Sequence, residues 1–305
     1  MEFFLKNLPQ RASKPRQTGL TLVMDKGLSV AEVENLLSVA EPYIDFVKLG
    51  FGTALFTRNL ERKLMVYRNS RIPVFFGGTL FEAFVVRNQF NDYLRFLDYY
   101  KIEYAEISDG SFRMPLQEKC EYIQKLARHV TVLSEVGSKT ENSNFTAAEW
   151  VEAINSELEA GAVSVTAEGR ESGIVGIYRS NGEIREELVW DILNHVPKHK
   201  LIWEAPMKNQ QAWFIKSFGT NINLGNIEPG DVIALETLRS GLRGDTFATF
   251  ASKMEHFAFQ SGLLVKNLAD NRSCVGFPQF SGNTTLFDQY AKSLERMKDD
   301  ENSTS

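Results

Sequence analysis

Short apolar runs alternate with longer amphipathic stretches along most of the chain. The runs fall at residues 20–24, 46–49, 74–76, 104–107, 131–135, 164–168, 201–204 and 222–224, and several are rich in Val, Ile, Phe or Tyr. Strands covered on both faces need this composition, because neither side meets water. Between them, residues 31–40 and 80–100 carry apolar side chains at helical spacing. Residues 147–160 follow Thr146 with Glu149 three positions on, a capping box, and 210–218 stop at Gly219.

The pattern predicts eight strand-then-helix units whose strands start about 21 to 37 residues apart. Eight such units in about 230 residues is the size of a closed (β/α)₈ barrel. An open doubly wound sheet would place a glycine-rich dinucleotide loop after its first strand, and Asp25-Lys26-Gly27 is not one. The expected fold is therefore α/β, a TIM barrel over residues 18–250, with an extension at 1–17 and a C-terminal extension at 251–305. Beyond Phe250 the periodicity weakens: residues 259–284 are richer in Gly, Asn and Ser, and 299–305 are polar. One or two added helices and then a disordered tail are expected there, with a lid or an oligomer contact as the competing reading.

Composition narrows the function classes. With 34 Lys and Arg against 39 Asp and Glu, net charge is −5 and the basic residues are scattered, so no stripe fits duplex nucleic acid. Two cysteines, Cys120 and Cys274, lack metal-ligand spacing and suit a reducing compartment. The N-terminus has no long apolar run, and no stretch reaches the ~18 residues of a membrane span. A cytoplasmic metabolite enzyme is expected, with a protein-binding module as the other class left open.

The candidate chemistry lies where the strands end. In order the ends carry Asp25 and Lys26; Lys48; Gly77, Gly78 and Thr79 with Glu82; Glu106 with Asp109; Glu135 with Lys139; Glu168 with Arg170 and Glu171; Glu204; and Asn223 with Asn226. In a barrel these converge on one mouth. Any one carboxylate there could pair with a neighbouring lysine. Glu106, Glu135, Glu168 and Glu204 at one depth would repel, which calls for a cation among them. Oxygen donors without His or Cys point to Mg²⁺, with Asp25 and Glu204 as alternates to the first three glutamates. His129, His195, His199 and His256 are read as neither ligands nor bases.

For an anionic substrate the candidates are the Gly77-Gly78-Thr79 turn, Lys26, Lys48, Arg170, Arg239, Arg243, Asn223 and Asn226. Arg239 and Arg243 lie four apart on one helix face, which by itself means only a solvated face.

Several strings resemble the phosphosulfolactate synthase family. They include Gly19-Leu20-Thr21-Leu22-Val23-Met24-Asp25-Lys26-Gly27, Asp45-Phe46-Val47-Lys48-Leu49-Gly50-Phe51-Gly52-Thr53, Glu135-Val136-Gly137-Ser138-Lys139 and Glu168-Gly169-Arg170-Glu171-Ser172-Gly173. Others are Gly77-Gly78-Thr79-Leu80-Phe81-Glu82, Glu106-Ile107-Ser108-Asp109-Gly110, Trp203-Glu204-Ala205-Pro206 and Asn223-Leu224-Gly225-Asn226-Ile227. The resemblance extends to about Phe247, through Leu235-Glu236-Thr237-Leu238-Arg239 and Gly241-Leu242-Arg243-Gly244-Asp245-Thr246.

It implies a (β/α)₈ barrel that joins sulfite to phosphoenolpyruvate with Mg²⁺, giving (2R)-3-phosphosulfolactate, the opening step of coenzyme M synthesis in methanogens. It implies Lys139 as the general acid, with Glu171 the second catalytic candidate, and a homo-oligomer. Two other readings are a different Mg²⁺-dependent barrel lyase or aldolase acting on a phosphorylated acid, and a non-catalytic homologue of the heat-stress type. Residues from 251 onward lie beyond the resemblance.

Overall fold

The eight apolar runs form eight parallel strands, and a helix follows each. The computed structural model describes residues 5–137, 145–170 and 172–250. Its strands are β1 (Thr21–Asp25), β2 (Phe46–Leu49), β3 (Val74–Phe76), β4 (Tyr104–Ile107), β5 (Thr131–Val136), β6 (Ser164–Ala167), β7 (Leu201–Glu204) and β8 (Leu224–Ile227). They close in sequence order into a barrel, β8 returning to β1. The helices are α1 (Val30–Ala40), α2 (Leu60–Asn69), α3 (Gly78–Val85), α4 (Phe90–Tyr99), α5 (Leu116–Leu126), α6 (Ala147–Glu159), α7 (Glu186–His195), α8 (Lys208–Phe218) and α9 (Val232–Arg239). None among the described residues is long and apolar enough to cross a membrane. The C-terminal extension expected at 251–305 lies outside the described residues.

Local chemistry sets the helix ends. Ser29 and Thr146 each close a capping box, with Glu32 and Glu149, at the starts of α1 and α6. Gly219 ends α8 at φ +89°. The single helix expected over 80–100 is two, α3 and α4, because Asn88 takes φ +57° between them, a left-handed turn that asparagine tolerates.

Side chains alternate across each strand, and the alternation decides what reaches the interior. Val23, Val47, Ala105, Val132, Val165 and Trp203 face the helices and belong to the main apolar core. Leu22, Phe75, Leu133 and Ile202, one from each odd strand, form a separate apolar layer inside the barrel. Phe46 and Tyr104 pack against it and meet each other edge-to-face, ring centroids 5.3 Å apart. Two residues further on, the inward positions turn polar: Lys48 and Glu106 on even strands, Glu135 and Glu204 on odd ones. The apolar layer is the floor on which the site stands.

Three expectations are corrected by the structure, the first of them by this parity. Asp25 follows the inward Met24, so it faces outward and is fully buried against α2. It accepts from Lys63 Nζ at 2.6 Å, from the Tyr67 hydroxyl at 2.9 Å, and from the N–H groups of Gly27 and Leu28. It is a loop anchor and lies away from the mouth. Asn223 precedes β8 instead of following it; its Oδ1 accepts from Leu20 N and its Nδ2 donates to Leu201 O. Arg239 is fully buried and donates to the carbonyls of Ile222 at 2.7 Å, Leu20 at 3.1 Å and Thr220. Both brace the opening segments of β1 and β8, at the end of the barrel opposite the mouth.

That seam is where the ladder is irregular. Thr21 pairs with Leu224 and Val23 with Ile227, so β8 carries one extra residue, a β-bulge. The N-terminal arm is fastened beside it. Arg11 makes a two-pronged pair with Glu236 (2.8 and 3.1 Å) and donates to Asn221, while Arg16 pairs with Asp45 at 3.0 Å.

Arg239→Met leaves three seam carbonyls without their donor and should cost about 3 kcal/mol, lowering Tm by roughly 5–10 °C. Arg239→Lys should recover only part, because one ammonium cannot reproduce the guanidinium fork. Thermal unfolding of both variants checks this; an unchanged Tm would remove Arg239 from the seam.

Candidate active site

Lys48 rises from β2 into the middle of the mouth. Its Nζ lies 3.2 Å from Glu106 Oε1, 3.2 Å from Glu135 Oε2 and 3.2 Å from Glu204 Oε1, on β4, β5 and β7. All four side chains are at most 5% exposed. Burial alone would lower the Lys48 pKa, but the attraction of Glu106, Glu135, Glu204 and Glu168 raises it well above its usual value, so the ammonium stays charged. Burial pushes the Glu106 carboxyl up to about 7, with Lys48 pulling it down and Glu135 pushing it further up.

The strand-end carboxylates thus do gather at one mouth, as their positions predict. The cation among three of them is a lysine. Lys48, expected to hold substrate anions, compensates carboxylates instead. Repulsion among the carboxylates does call for a cation, and β2 delivers it as an ammonium at the centre. Among the described residues no group of three His, Cys, Asp or Glu side chains is arranged around a metal position.

Three further carboxylate oxygens hold the loops. Glu106 Oε2 accepts from Gly78 N at 2.7 Å. Glu204 Oε2 accepts from Gly169 N at 2.8 Å and Arg170 N at 3.0 Å, and Glu168 Oε1 accepts from Arg170 N at 2.7 Å. This corrects the phosphate cradle read from Gly77-Gly78-Thr79. The N–H of Gly77 donates to Leu49 O and that of Gly78 to Glu106, so neither faces an open anion site.

Above the knot lies a cavity of about 270 Å³ lined by Met24, Phe51, Thr79, Ser111, Arg170 and Asn226 together with Lys48 and the four glutamates. Glu168, Gly78, Thr79, Arg170 and Asn226 therefore meet where the sequence placed them. Asn226 occupies the β8 bulge at φ +55° and is buried, and its Oδ1 has no hydrogen-bond partner among the described residues. The bulge turns an amide into the cavity that regular alternation would send elsewhere. Met24, Phe51 and Ser111 also line it; an apolar residue at or just past a strand end, or a loop serine, carries no chemical signal in the sequence. A larger cavity of about 840 Å³ lies to one side, against α5 and α6, but it contains none of the four strand-end glutamates. The chemistry belongs to the central one.

The other expected anion ligands are elsewhere. Lys26 is partly exposed and pairs with Glu228. Arg243 pairs with Asp245 at 3.8 Å and does not line the cavity. Lys139 and Glu171 lie outside the described residues. Surrounding buried charges support the site. Lys119 binds Asp109 at 2.8 Å, Glu157 at 2.8 Å and the carbonyl of Glu135 at 2.7 Å. Glu82 accepts from Gly110 N at 3.1 Å, Ser111 N at 3.0 Å and the Ser108 hydroxyl, fixing the loop after β4.

A carboxyl whose folded pKa is raised from 4.5 to about 7 binds its proton more tightly folded than unfolded. Its stabilising contribution is complete below the unfolded value and is lost as pH rises through about 7. Denaturant unfolding should therefore show wild-type stability falling between pH 5 and 8 by on the order of 2 kcal/mol more than in Glu106→Gln. Parallel pH profiles for the two proteins would contradict this.

Comparison with known proteins matches residues 9–245 to the family model described as (2R)-phospho-3-sulfolactate synthase (ComA). Three relatives, each described as phosphosulfolactate synthase, are similar over nearly their whole length. The Bacillus subtilis protein is 44% identical across 81% of this chain and 99% of its own. The Methanothermobacter thermautotrophicus protein is 38% identical across 78% and 95%, and the Methanocaldococcus jannaschii protein 42% identical across 76% and 94%. With eight strands closed in order and carboxylates, Lys48, Arg170 and Asn226 gathered at their C-terminal ends, the chain belongs to the phosphosulfolactate synthase family.

Proposed function

We propose that this chain joins sulfite to C3 of phosphoenolpyruvate, giving (2R)-3-phosphosulfolactate. The observation that carries the reading is the cavity itself. At about 270 Å³ it suits a small acid instead of a dinucleotide, and an arginine and an amide whose Oδ1 has no hydrogen-bond partner among the described residues line it above the Lys48–glutamate knot. Membership of the family supports the same substrates.

In the reaction the sulfite sulfur supplies an electron pair to the terminal CH₂, forming the C–S bond. The π pair of the C2–C3 double bond moves onto C2 and into the adjacent carboxylate, and a proton then arrives at C2. The phosphate stays attached throughout. Arg170 and Asn226 orient the anionic groups, and the Lys48–glutamate knot keeps the floor of the cavity fixed. Lys139 is the assigned proton donor, on the resemblance of its sequence context. Delivery from one face sets the R centre.

The carboxylates at the cavity, with an Asn226 Oδ1 that has no hydrogen-bond partner among the described residues, fit a magnesium ion, which takes few protein ligands and fills its octahedron with water and substrate oxygens. With Glu106, Glu135 and Glu204 gathered on Lys48, the residues that would hold it are Glu168 and Asn226. When bound it supplies positive charge opposite the substrate carboxylate.

Purified protein given phosphoenolpyruvate, sulfite and Mg²⁺ should form a new phosphomonoester visible by phosphorus NMR; no product with sulfite would overturn the reading. Lys139→Ala should slow turnover ~10²-fold with KM for phosphoenolpyruvate within about threefold. Near-normal turnover in that variant would take Lys139 out of the mechanism.

A further inference from the structure

Arg170 and Lys48 are the cationic residues among the described residues that line the central cavity, and Lys48 is held by three carboxylates. The placement of Arg170 therefore decides how the cavity meets an anion. Its backbone is unusual. Arg170 has φ +55°, a left-handed conformation that costs a residue bearing Cβ about 1–2 kcal/mol. Such a conformation persists only when its surroundings over-determine it.

Those surroundings centre on Glu204. Its Oε2 accepts from two successive N–H groups, Gly169 at 2.8 Å and Arg170 at 3.0 Å, while Glu168 Oε1 takes the Arg170 N–H at 2.7 Å as well. The backbone of Glu204 is itself fastened, since the Tyr178 hydroxyl donates to its carbonyl. The ring of Tyr178 closes over Gly169: a Cβ there would lie 2.5 Å from Tyr178 Cε2 and 3.1 Å from Glu204 O. Only glycine lets the chain pass between the tyrosine and the glutamate closely enough to present both N–H groups to one oxygen.

We propose that Glu204 is the positioning residue for Arg170, holding residues 169 and 170 in the one backbone arrangement that sets the arginine at the cavity for the anionic part of the substrate. Through its other oxygen Glu204 also takes Lys48 at 3.2 Å, so one carboxylate ties the cation of the floor to the cation of the rim. The inference rests on the reading that the cavity binds anions, and adds which residue sets that binding.

The test is a double-mutant cycle read by calorimetric titration with sulfite and with inorganic phosphate. Arg170→Ala should weaken anion binding about tenfold, the scale of one lost charge-assisted pair. Glu204→Gln should weaken it similarly and add nothing in the Arg170→Ala background. Gly169→Ala displaces the same backbone without touching the Glu204 carboxylate or Lys48, so it serves as the second variant if Glu204→Gln fails to fold, and it should behave the same way. In turnover, KM should rise with kcat within about threefold.

Wild-type affinity in both Gly169→Ala and Glu204→Gln, losses that multiply with that of Arg170→Ala, or a wild-type protein that binds neither anion would each overturn the proposal. A wild-type protein that binds the anions and obeys the cycle, but makes no product from phosphoenolpyruvate and sulfite, would retain the positioning role and remove the assigned reaction.

Discussion

Four carboxylates brought to one end of a barrel interior must be compensated, and the way this chain does so organises the rest of the site. An uncompensated ionised carboxylate in a dry interior costs several kcal/mol even after relaxation. Parity fixes the problem: once Leu133 and Ile202 face inward in the apolar layer, Glu135 and Glu204 must face inward two residues later. The compensation comes from β2, where the same rule turns Lys48 inward two residues after Phe46. One ammonium at 3.2 Å from three carboxylates leaves an excess of negative charge, which the structure directs outward. Glu106 meets the N–H of Gly78, and Glu204 meets those of Gly169 and Arg170. The loops after β3 and β6 are therefore fastened to the same charge cluster that lines the cavity.

Around this knot, further buried charges each secure one loop or carbonyl. Asp25 with Lys63 holds the turn after β1, Glu82 holds the loop after β4, and Lys119 holds the carbonyl of Glu135. None of them lines the central cavity except through the groups they position. A site that meets small anions gains from this, because donors fixed before the ligand arrives need no reorganisation when it binds.

Much of this was legible in the sequence, and the misses have physical causes. All eight strands stood out as apolar runs, but the eighth was placed at 222–224, two residues early, because Gly225 and Asn226 interrupt β8 while Ile222, just before it, looks like strand. That offset moved Asn223 to the wrong end of the barrel and hid the bulge that aims Asn226. Convergence of Glu106, Glu135, Glu168 and Glu204 followed from their positions at strand ends. Asp25 was readable too: it comes one residue after an inward Met24, so period two sends it outward. The fate of Arg239 was not readable, since a basic residue on an amphipathic helix gives no hint that three backbone carbonyls wait beneath it. Nor could spacing reveal that Lys48 and the glutamates would meet each other before meeting any ligand.

Lys48 is the charge that makes the glutamate cluster possible. The unfolding free energy of Lys48→Met, measured by denaturant titration at neutral pH and again near pH 5, tests that directly. The expected loss is about 3–5 kcal/mol at neutral pH, the scale for stripping one partner from a buried pair, shrinking in acid as Glu106, whose carboxyl burial pushes up to about 7, takes up its proton. A Lys48→Met protein as stable as its parent at neutral pH would contradict it.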